Sequence, residues 1–274
     1  MSRFLNTALL ATLVAAAPLS GVVPIHYFPF DGNTVDVNGG AATQVFGAPT
    51  YVPGRTSIDF GGQETALSSL ALDQSNLAIQ LNGTTDFIRA FVDINPSSLP
   101  DLTMGAWVMP STVAPSRQII SHDSGGFDRS LGLDGRGGGT GWSAFTGAGV
   151  LGVVPAEVGV WQFVAVVYDG ETSTTRLYVY NESSGVTEIR TGGFSNSAGW
   201  TYSDIGHNPS FGEFFGGAVD DVFFFDEALT DTQLEQVRIN GPEAVPEAST
   251  VVLVTLGAAM CLGWGMLRRR RSQS

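Results

Sequence analysis

Between Val22 and about Phe225 the chain is a succession of short apolar runs, each ended within a few residues by Gly, Pro, Asn or Asp. The clearest are IHYFPF (25–30), DFIRAFVDI (86–94), LTMGAWVMP (102–110), WQFVAVVYDG (161–170), TTRLYVYN (174–181) and GGAVDDVFFFDEAL (216–229). No helical pattern of about 10–15 residues lies between them, and a parallel α/β sheet would need such crossovers. The spacing therefore predicts an all-β fold, a sandwich or a jelly roll. In LTMGAWVMP, Leu102, Met104, Ala106 and Val108 fall on one face, and Thr103, Gly105, Trp107 and Met109 on the other. Apolar residues on both faces mark an inner strand of stacked sheets. One helix is expected, and it comes last. Thr230 and Gln233 have capping-box spacing, Leu229, Leu234 and Val237 form a stripe, and Gly241-Pro242 is a stop signal.

Composition narrows the chemistry. Thirty-five glycines supply the positive φ angles that tight turns require. The formal charge is −13, all 13 basic residues are arginine, and four of them lie in the last seven residues. An acidic body of this kind argues against a nucleic-acid partner, because phosphate binding needs a basic face. The absence of lysine excludes a Schiff-base lysine and a P-loop. The single cysteine, Cys261, lies in the C-terminal apolar run, so the body has no disulfide and no thiolate metal site. GAGVLG (147–152) matches GxGxxG, but Pro155 and Gly159 follow where a dinucleotide site needs a helix. His26, His122 and His207 do not form an HExxH pair, and there is no GxSxG elbow.

The two ends have their own logic. MSRFLNTALLATLVAAAPLSG (1–21) has one basic residue, an apolar stretch and then small residues, the layout of a secretory signal peptide. At the other end, VPEASTVVLVTLGAAMCLGWGMLRRRRSQS contains an uninterrupted apolar run from Val251 to Leu267. Its 17 residues make roughly 26 Å of helix, near the lower limit for a membrane span. Arg268, Arg269, Arg270 and Arg271 then keep that end cytoplasmic and the body outside. The domain plan is a signal peptide at 1–21, the sandwich at 22–241, a linker at 242–248, and a transmembrane helix with a basic tail at 249–274. This tail resembles the PEP-CTERM sorting signal of Gram-negative bacteria, with Pro246, Glu247 and Ala248 in the place of its Pro-Glu-Pro motif. The resemblance implies an exosortase as processing partner and passage through the inner membrane. It also implies at least transient anchoring, then the cell surface or extracellular matrix.

Four stretches of the body, in order, resemble the LamG-like jelly roll of the concanavalin A-like lectin/glucanase fold. They are HYFPFDGNTVDVNGG, LTMGAWVMP, VWQFVAVVYDGETSTTRLYVYN and SDIGHNPSFGEFFGGAVDDVFFFDEALTDTQLEQV. The resemblance implies an all-β, two-sheet antiparallel jelly-roll sandwich whose first and last strands lie side by side, with Trp107 and Trp161 as core residues and a structural calcium near that edge. If those strands pair, oxygen ligands converge from the turn holding Asp31, Asn33 and Asp36 and from Asp220-Asp221. Alternation puts Asp220 and Asp221 on opposite faces, so the expected metal set is Asp31, Asn33 and Asp220.

For ligand binding, SHDSGGFDRSLGLDGRGGGTGWSAF (121–145) has two readings. It is either two strands joined by the GRGGGTG loop, or binding loops carrying His122 and Asp123 beside Trp142. Trp200 and Tyr202 suit sugar stacking, or capping of the sandwich edge. The expected function is an exported surface or matrix protein with a non-catalytic module binding carbohydrate or another surface component. The alternative is a structural or adhesion protein that meets other proteins and no sugar. A glycoside hydrolase is disfavoured because Asp220-Asp221 and Asp226-Glu227 lack the Glu-x-Asp-x-x-Glu spacing of such enzymes.

Overall fold

The computed structural model describes residues 21–55 and 76–246. The expected signal peptide (all but Gly21), the apolar C-terminal run, Glu247, Ala248 and Arg268–Arg271 lie outside the described residues. Among the described residues no helix is long and apolar enough to cross a membrane.

The strands, in chain order, are β1 (Gly21–Val22), β2 (His26–Phe28), β3 (Thr43–Phe46), β4 (Thr50–Pro53), β5 (Leu77–Asn82), β6 (Phe87–Ala90), β7 (Leu102–Pro110) and β8 (Arg117–Ser121). Then come β9 (Ser130–Asp134), β10 (Gly141–Phe145), β11 (Val150–Val154), β12 (Gln162–Asp169), β13 (Thr174–Asn181), β14 (Val186–Gly193), β15 (Ser203–Ile205) and β16 (Gly216–Phe225). Helix α1 (Asp231–Asn240), a 3₁₀ turn at Pro242–Ala244 and β17 (Val245–Pro246) follow. Val23–Val245 form one unit, and of the other unit only Gly21, Val22 and Pro246 are described.

Two antiparallel sheets build the sandwich. The smaller runs β11-β10-β9-β8-β15-β6-β3, and the larger runs β14-β13-β12-β7-β16-β5-β4, with β2 also paired to β16. The expected meeting of first and last strands is present: His26, Tyr27 and Phe28 face Phe224, Phe223 and Val222. The 121–145 stretch forms two strands, β9 and β10, joined by the glycine-rich loop.

The core lies between the sheets. Met104, Ala106 and Val108 of β7 and Val164 and Val166 of β12 are fully buried there. They meet Ile88 and Ala90 of β6, Leu131 and Leu133 of β9, and Trp142 and Ala144 of β10. Each large aliphatic or aromatic side chain so buried contributes roughly 1.5–3 kcal/mol.

The outer face of the larger sheet is also apolar, as the β7 pattern predicts. Trp107, Phe163, Tyr178 and Phe223 are buried there and form edge-on or stacked ring pairs. Gly105 makes this possible, because a Cβ on it would meet the Phe223 ring at 2.6 Å and the Val164 carbonyl at 2.5 Å. Helix α1 is tied to this face. Tyr178 donates to Glu235 at 2.7 Å, the Arg238 guanidinium lies 3.9 Å from the Tyr180 ring, and Arg176 pairs with Asp231 at 2.8 Å. Thr230 and Gln233 cap the helix reciprocally, and Gly241 ends it at φ 84°. Trp107 is thus buried on the outer layer rather than between the sheets, and Trp161 is half-buried just ahead of β12.

The main departure from simple alternation is in β16. Val219 pairs with Val108 and Asp220 with Trp107, but the next registered pair is Phe223 with Gly105. One extra residue is therefore accommodated between them, and Asp221 takes a positive φ of 52°. A bulge resets the facing of every residue after it. Val219 and Val222, three apart, both reach the inter-sheet core.

Candidate functional site

The bulge builds the first of two polar regions. Expected to point opposite ways, Asp220 and Asp221 instead line the same cleft, because the extra residue suspends alternation between them. The cleft has a volume of about 320 Å³. Asp31, Arg55, Asn76, Trp107 and the C-terminal end of α1 complete its lining. Of the expected metal set, Asp31 and Asp220 are brought together. Asn33 is exposed and lies outside the lining, its amide donating to the Asp31 carbonyl and its Oδ1 accepting from the Val35 N–H. Asp36 is buried elsewhere as a hub, accepting from the Tyr27, Asn38, Gly39 and Ala41 N–H groups.

The carboxylates of the cleft are crowded. Asp31 accepts the Leu77 N–H at 2.8 Å and Asp220 the Arg55 N–H at 3.2 Å. Asp221 accepts the Tyr27 hydroxyl at 2.5 Å. Burial, and then the neighbouring Asp221, push the Asp220 carboxyl up to about 8. Burial likewise raises Asp221, although the Tyr27 hydroxyl opposes it. Burial, and next Asp221, raise the Tyr27 phenol. The arginines nearby are already engaged: Arg55 pairs with Glu182 at 3.0 Å and covers the Trp107 ring at 3.8 Å, and Arg238 pairs with Glu235. The donors at the cleft are oxygen only, which suits a hard cation such as calcium. Among the described residues, however, no three His, Cys, Asp or Glu side chains converge as a ready-made metal cluster.

The second region lies where the smaller sheet meets the loops following β14 and β15. Trp200 is 45% exposed and stacks on Tyr202, with ring centroids 5.6 Å apart and planes 16° from parallel. Tyr202 rests in turn on the Arg89 guanidinium, 3.9 Å from its ring. Arg89 is fixed by a two-pronged pair to Asp204 at 2.8 and 2.9 Å, and Asp204 also holds His207 at 2.8 Å. The Trp200 indole donates to Ser210 at 3.3 Å, and the neighbouring Phe211 is 60% exposed. The result is a rigid aromatic shelf open to solvent.

The other expected ligand contacts have different places. Trp142 is fully buried in the inter-sheet core, where its indole donates to Gln162 at 2.8 Å, so its ring has no free face. His122 and Asp123 are buried beneath the shelf. Asp123 accepts from the Gly125 and Asp128 N–H groups and from the Asn208 amide, and its carbonyl accepts from Ser210. His122 and Asp123 therefore support the shelf rather than meet a ligand. Asp221, Arg55, Arg89 and Phe211 escape a reading of alternation. For Asp221 alone there was a signal: apolar Val219 and Val222 spaced by three in a strand whose period is two.

The two-sheet antiparallel topology is that of a jelly-roll sandwich. Residues 82–235, just over half the chain, match the family model of the concanavalin A-like lectin/glucanases superfamily, and the chain belongs to that superfamily. Among solved structures it is similar to domain 4 of a GH43 extracellular arabinanase from Geobacillus stearothermophilus, solved in complex with arabinotriose. The identity is 19% and the TM-score 0.50, over 79% of this chain and 98% of that one. It is also similar to the binding domain of Paraclostridial Mosquitocidal Protein 1 (11%, TM-score 0.53) and to the botulinum neurotoxin serotype D binding domain (13%, TM-score 0.51). Each of those covers 79% of this chain, which spans 51% of the toxin domain's length. At these identities the likeness is one of fold. No curated protein matches the chain.

Replacing Asp220 by Asn tests the electrostatics of the cleft. The folded value near 8 lies above the ordinary 3.8, so the folded state holds the extra proton between them. Stability should therefore fall as pH rises from about 4 to about 8. At pH 8 Asp220→Asn should be more stable than wild type by at least about 1.4 kcal/mol, one pKa unit's worth. The gain should vanish near pH 4, with urea denaturation at both pH values as the measurement.

Proposed function

We propose that the chain is an exported, non-catalytic module that binds glycan at the Trp200–Tyr202 shelf. The observation that carries this reading is the shelf itself, an exposed indole held flat on a tyrosine and an ion-paired arginine. The apolar face of a pyranose or furanose ring packs well on such a surface, and prior ordering lowers the cost of binding. The arabinanase domain solved with arabinotriose supports the same ligand class at the level of fold. On a glycan array, wild-type protein should select at least one polysaccharide class, and Trp200→Ala should lose at least about tenfold in affinity. A blank array with protein partners recovered from the host surface would favour the structural or adhesion role instead, and hydrolysis of any bound glycan would overturn the non-catalytic reading.

The cleft at the bulge is proposed to hold calcium, with Asp31 and Asp220 as the chain's carboxylate donors and Asp221 held beside them by the Tyr27 hydroxyl. Crowded carboxylates with raised proton affinity support this, because a divalent cation relieves the repulsion that a proton otherwise relieves. Millimolar calcium should raise the melting temperature of wild type and leave that of Asp31→Ala unchanged. Equal melting temperatures with calcium and with chelator in wild type would remove the site.

Localisation rests on the two ends of the sequence. The leader-like residues 1–21 support export, and Pro246-Glu247-Ala248 followed by an apolar run and four arginines supports recognition by an exosortase. The membrane helix is then a temporary anchor, oriented with its arginines inside. Mass spectrometry of the mature protein from its host should find a C-terminus close to Glu247. An intact Arg268–Arg271 tail would make the anchor permanent.

A further inference from the structure

Under the Trp200 shelf, one buried histidine is hydrogen-bonded in a way that leaves no place for a second proton. The segment carrying the shelf, residues 194–202, has no regular secondary structure and is seated by separate hydrogen bonds: Phe194 N–H to the Ser173 carbonyl, Ser195 N–H to the Thr146 carbonyl, Ser197 hydroxyl to Asp128, Ser124 hydroxyl to the Ala198 carbonyl, and a set that converges on Trp200. The Trp200 N–H donates to the His122 carbonyl at 2.8 Å, and the Trp200 carbonyl lies 3.1 Å from His122 Nδ1. Asn95 adds two bonds, accepting the Gly199 N–H at 2.8 Å and donating to the Trp200 carbonyl at 3.3 Å. His122 is thus bonded to both polar backbone atoms of the residue that forms the shelf.

The tautomer follows from the partner. A carbonyl only accepts, so Nδ1 carries the proton and Nε2 carries the lone pair. Nε2 is buried and has no hydrogen-bond partner. A proton arriving there would create a buried imidazolium N–H with no protein acceptor. The ring cannot turn aside to find one, because Gly199 packs directly on it. A Cβ at Gly199 would lie 2.2 Å from the His122 carbonyl oxygen and 2.9 Å from the ring.

The charged groups around the ring do not rescue the cation. Asp93 is committed to the Asn95 N–H and amide and to Ser98. Asp128 is committed to Ser124 and Ser197. Both carboxylates favour protonation, while Arg129, fixed on the carbonyls of Ile94, Leu99 and Pro100, opposes it. Burial outweighs the carboxylates and holds His122 below the ordinary histidine range.

We propose that His122 is a proton-sensitive latch. In its neutral, Nδ1-protonated form it seats residues 197–202 and keeps the Trp200 shelf in place. A second proton, on Nε2, unseats that segment and dismantles the shelf in acid. The sign follows from linkage. The folded state resists protonation, so the latch is fully closed above the ordinary histidine pKa and is lost as pH falls through the lower folded value. The latch is a positioning device. Its link to ligand binding rests on the glycan reading of the shelf; the seating of the segment does not.

The test reads the segment directly. Hydrogen exchange of the purified full chain is followed from about pH 7.5 to about pH 4.5 and corrected for intrinsic rates. Residues 197–202 should lose protection by about tenfold or more across a single titration, while β7 and β12 stay protected. In His122→Asn the amide nitrogen can stand in for Nδ1 and keep the bond to the Trp200 carbonyl, but it does not titrate. That variant should show protection with no pH step. Unchanged protection in wild type, or a step persisting in His122→Asn, overturns the latch. If the variant does not fold, the imidazole ¹⁵N shifts of the wild type decide. A neutral ring protonated at Nδ1, titrating below about 6.5, supports the latch, and the other tautomer or a midpoint at or above that value overturns it. Glycan affinity measured in parallel separates the two readings. A step in exchange without glycan binding at any pH sinks the ligand assignment alone, and glycan binding that stays constant while wild type shows no step sinks the latch alone.

Discussion

The molecule depends on burying both faces of its larger sheet. β7, β12 and β16 carry apolar side chains inward to the second sheet and outward to a layer of rings beneath α1. A sheet solvated on one side would alternate apolar with polar residues; here both registers are filled, so the outer layer must be covered. Helix α1 supplies the cover, and its reciprocal cap and its bonds to Tyr178 and Arg176 hold it there. The last strand and the helix after it therefore act as one closing unit, with β2 at the start of the body paired alongside.

Polar groups enter this apolar frame where its regularity breaks. At Asp221 one inserted residue places two carboxylates side by side against Tyr27 and Asp31, in surroundings that favour the protonated form. That is a costly arrangement for an unliganded fold, since like charges in a partly dry cleft repel strongly. Over the smaller sheet the solution differs. Asp123, Asp128, Arg129 and Asp204 are all buried, and each is hydrogen-bonded to backbone or side-chain partners that organise a loop. The loops there lack regular ladders, so side chains supply the bonds a sheet would otherwise make. His122 Nε2 and Arg129 Nε are exceptions to that pairing.

Much of the frame was legible beforehand for a simple reason. Period-two alternation in LTMGAWVMP reports a face directly, and Thr230 with Gln233 reports a helix start directly, since both signals are local. The hairpin at 130–145 was one of the two readings that the glycine placement left open, and the structure selects it. The candidate sites were harder. Trp142 and Trp200 are the same residue type in similar glycine-rich settings, yet one is sealed in the core and the other is open to solvent. His122 and Asp123 looked like ligand contacts because polar residues near glycines often are; burial made them supports instead. Asp221 was misplaced by applying alternation through a bulge that one positive φ angle permits.

The class of fold and the capped helix follow from local pattern in the chain, and the pairing of first and last strands from the resemblance it carries. Periodicity and turn chemistry are written in neighbouring residues. Which aromatic side chain is free, which carboxylates share a cleft, and what lies under the Trp200 shelf emerge from packing. Those outcomes depend on contacts between residues such as Asn95 and Gly199, or Arg89 and Asp204, separated by about a hundred positions in the chain. No local pattern encodes them; packing of the two sheets and their loops brings them together.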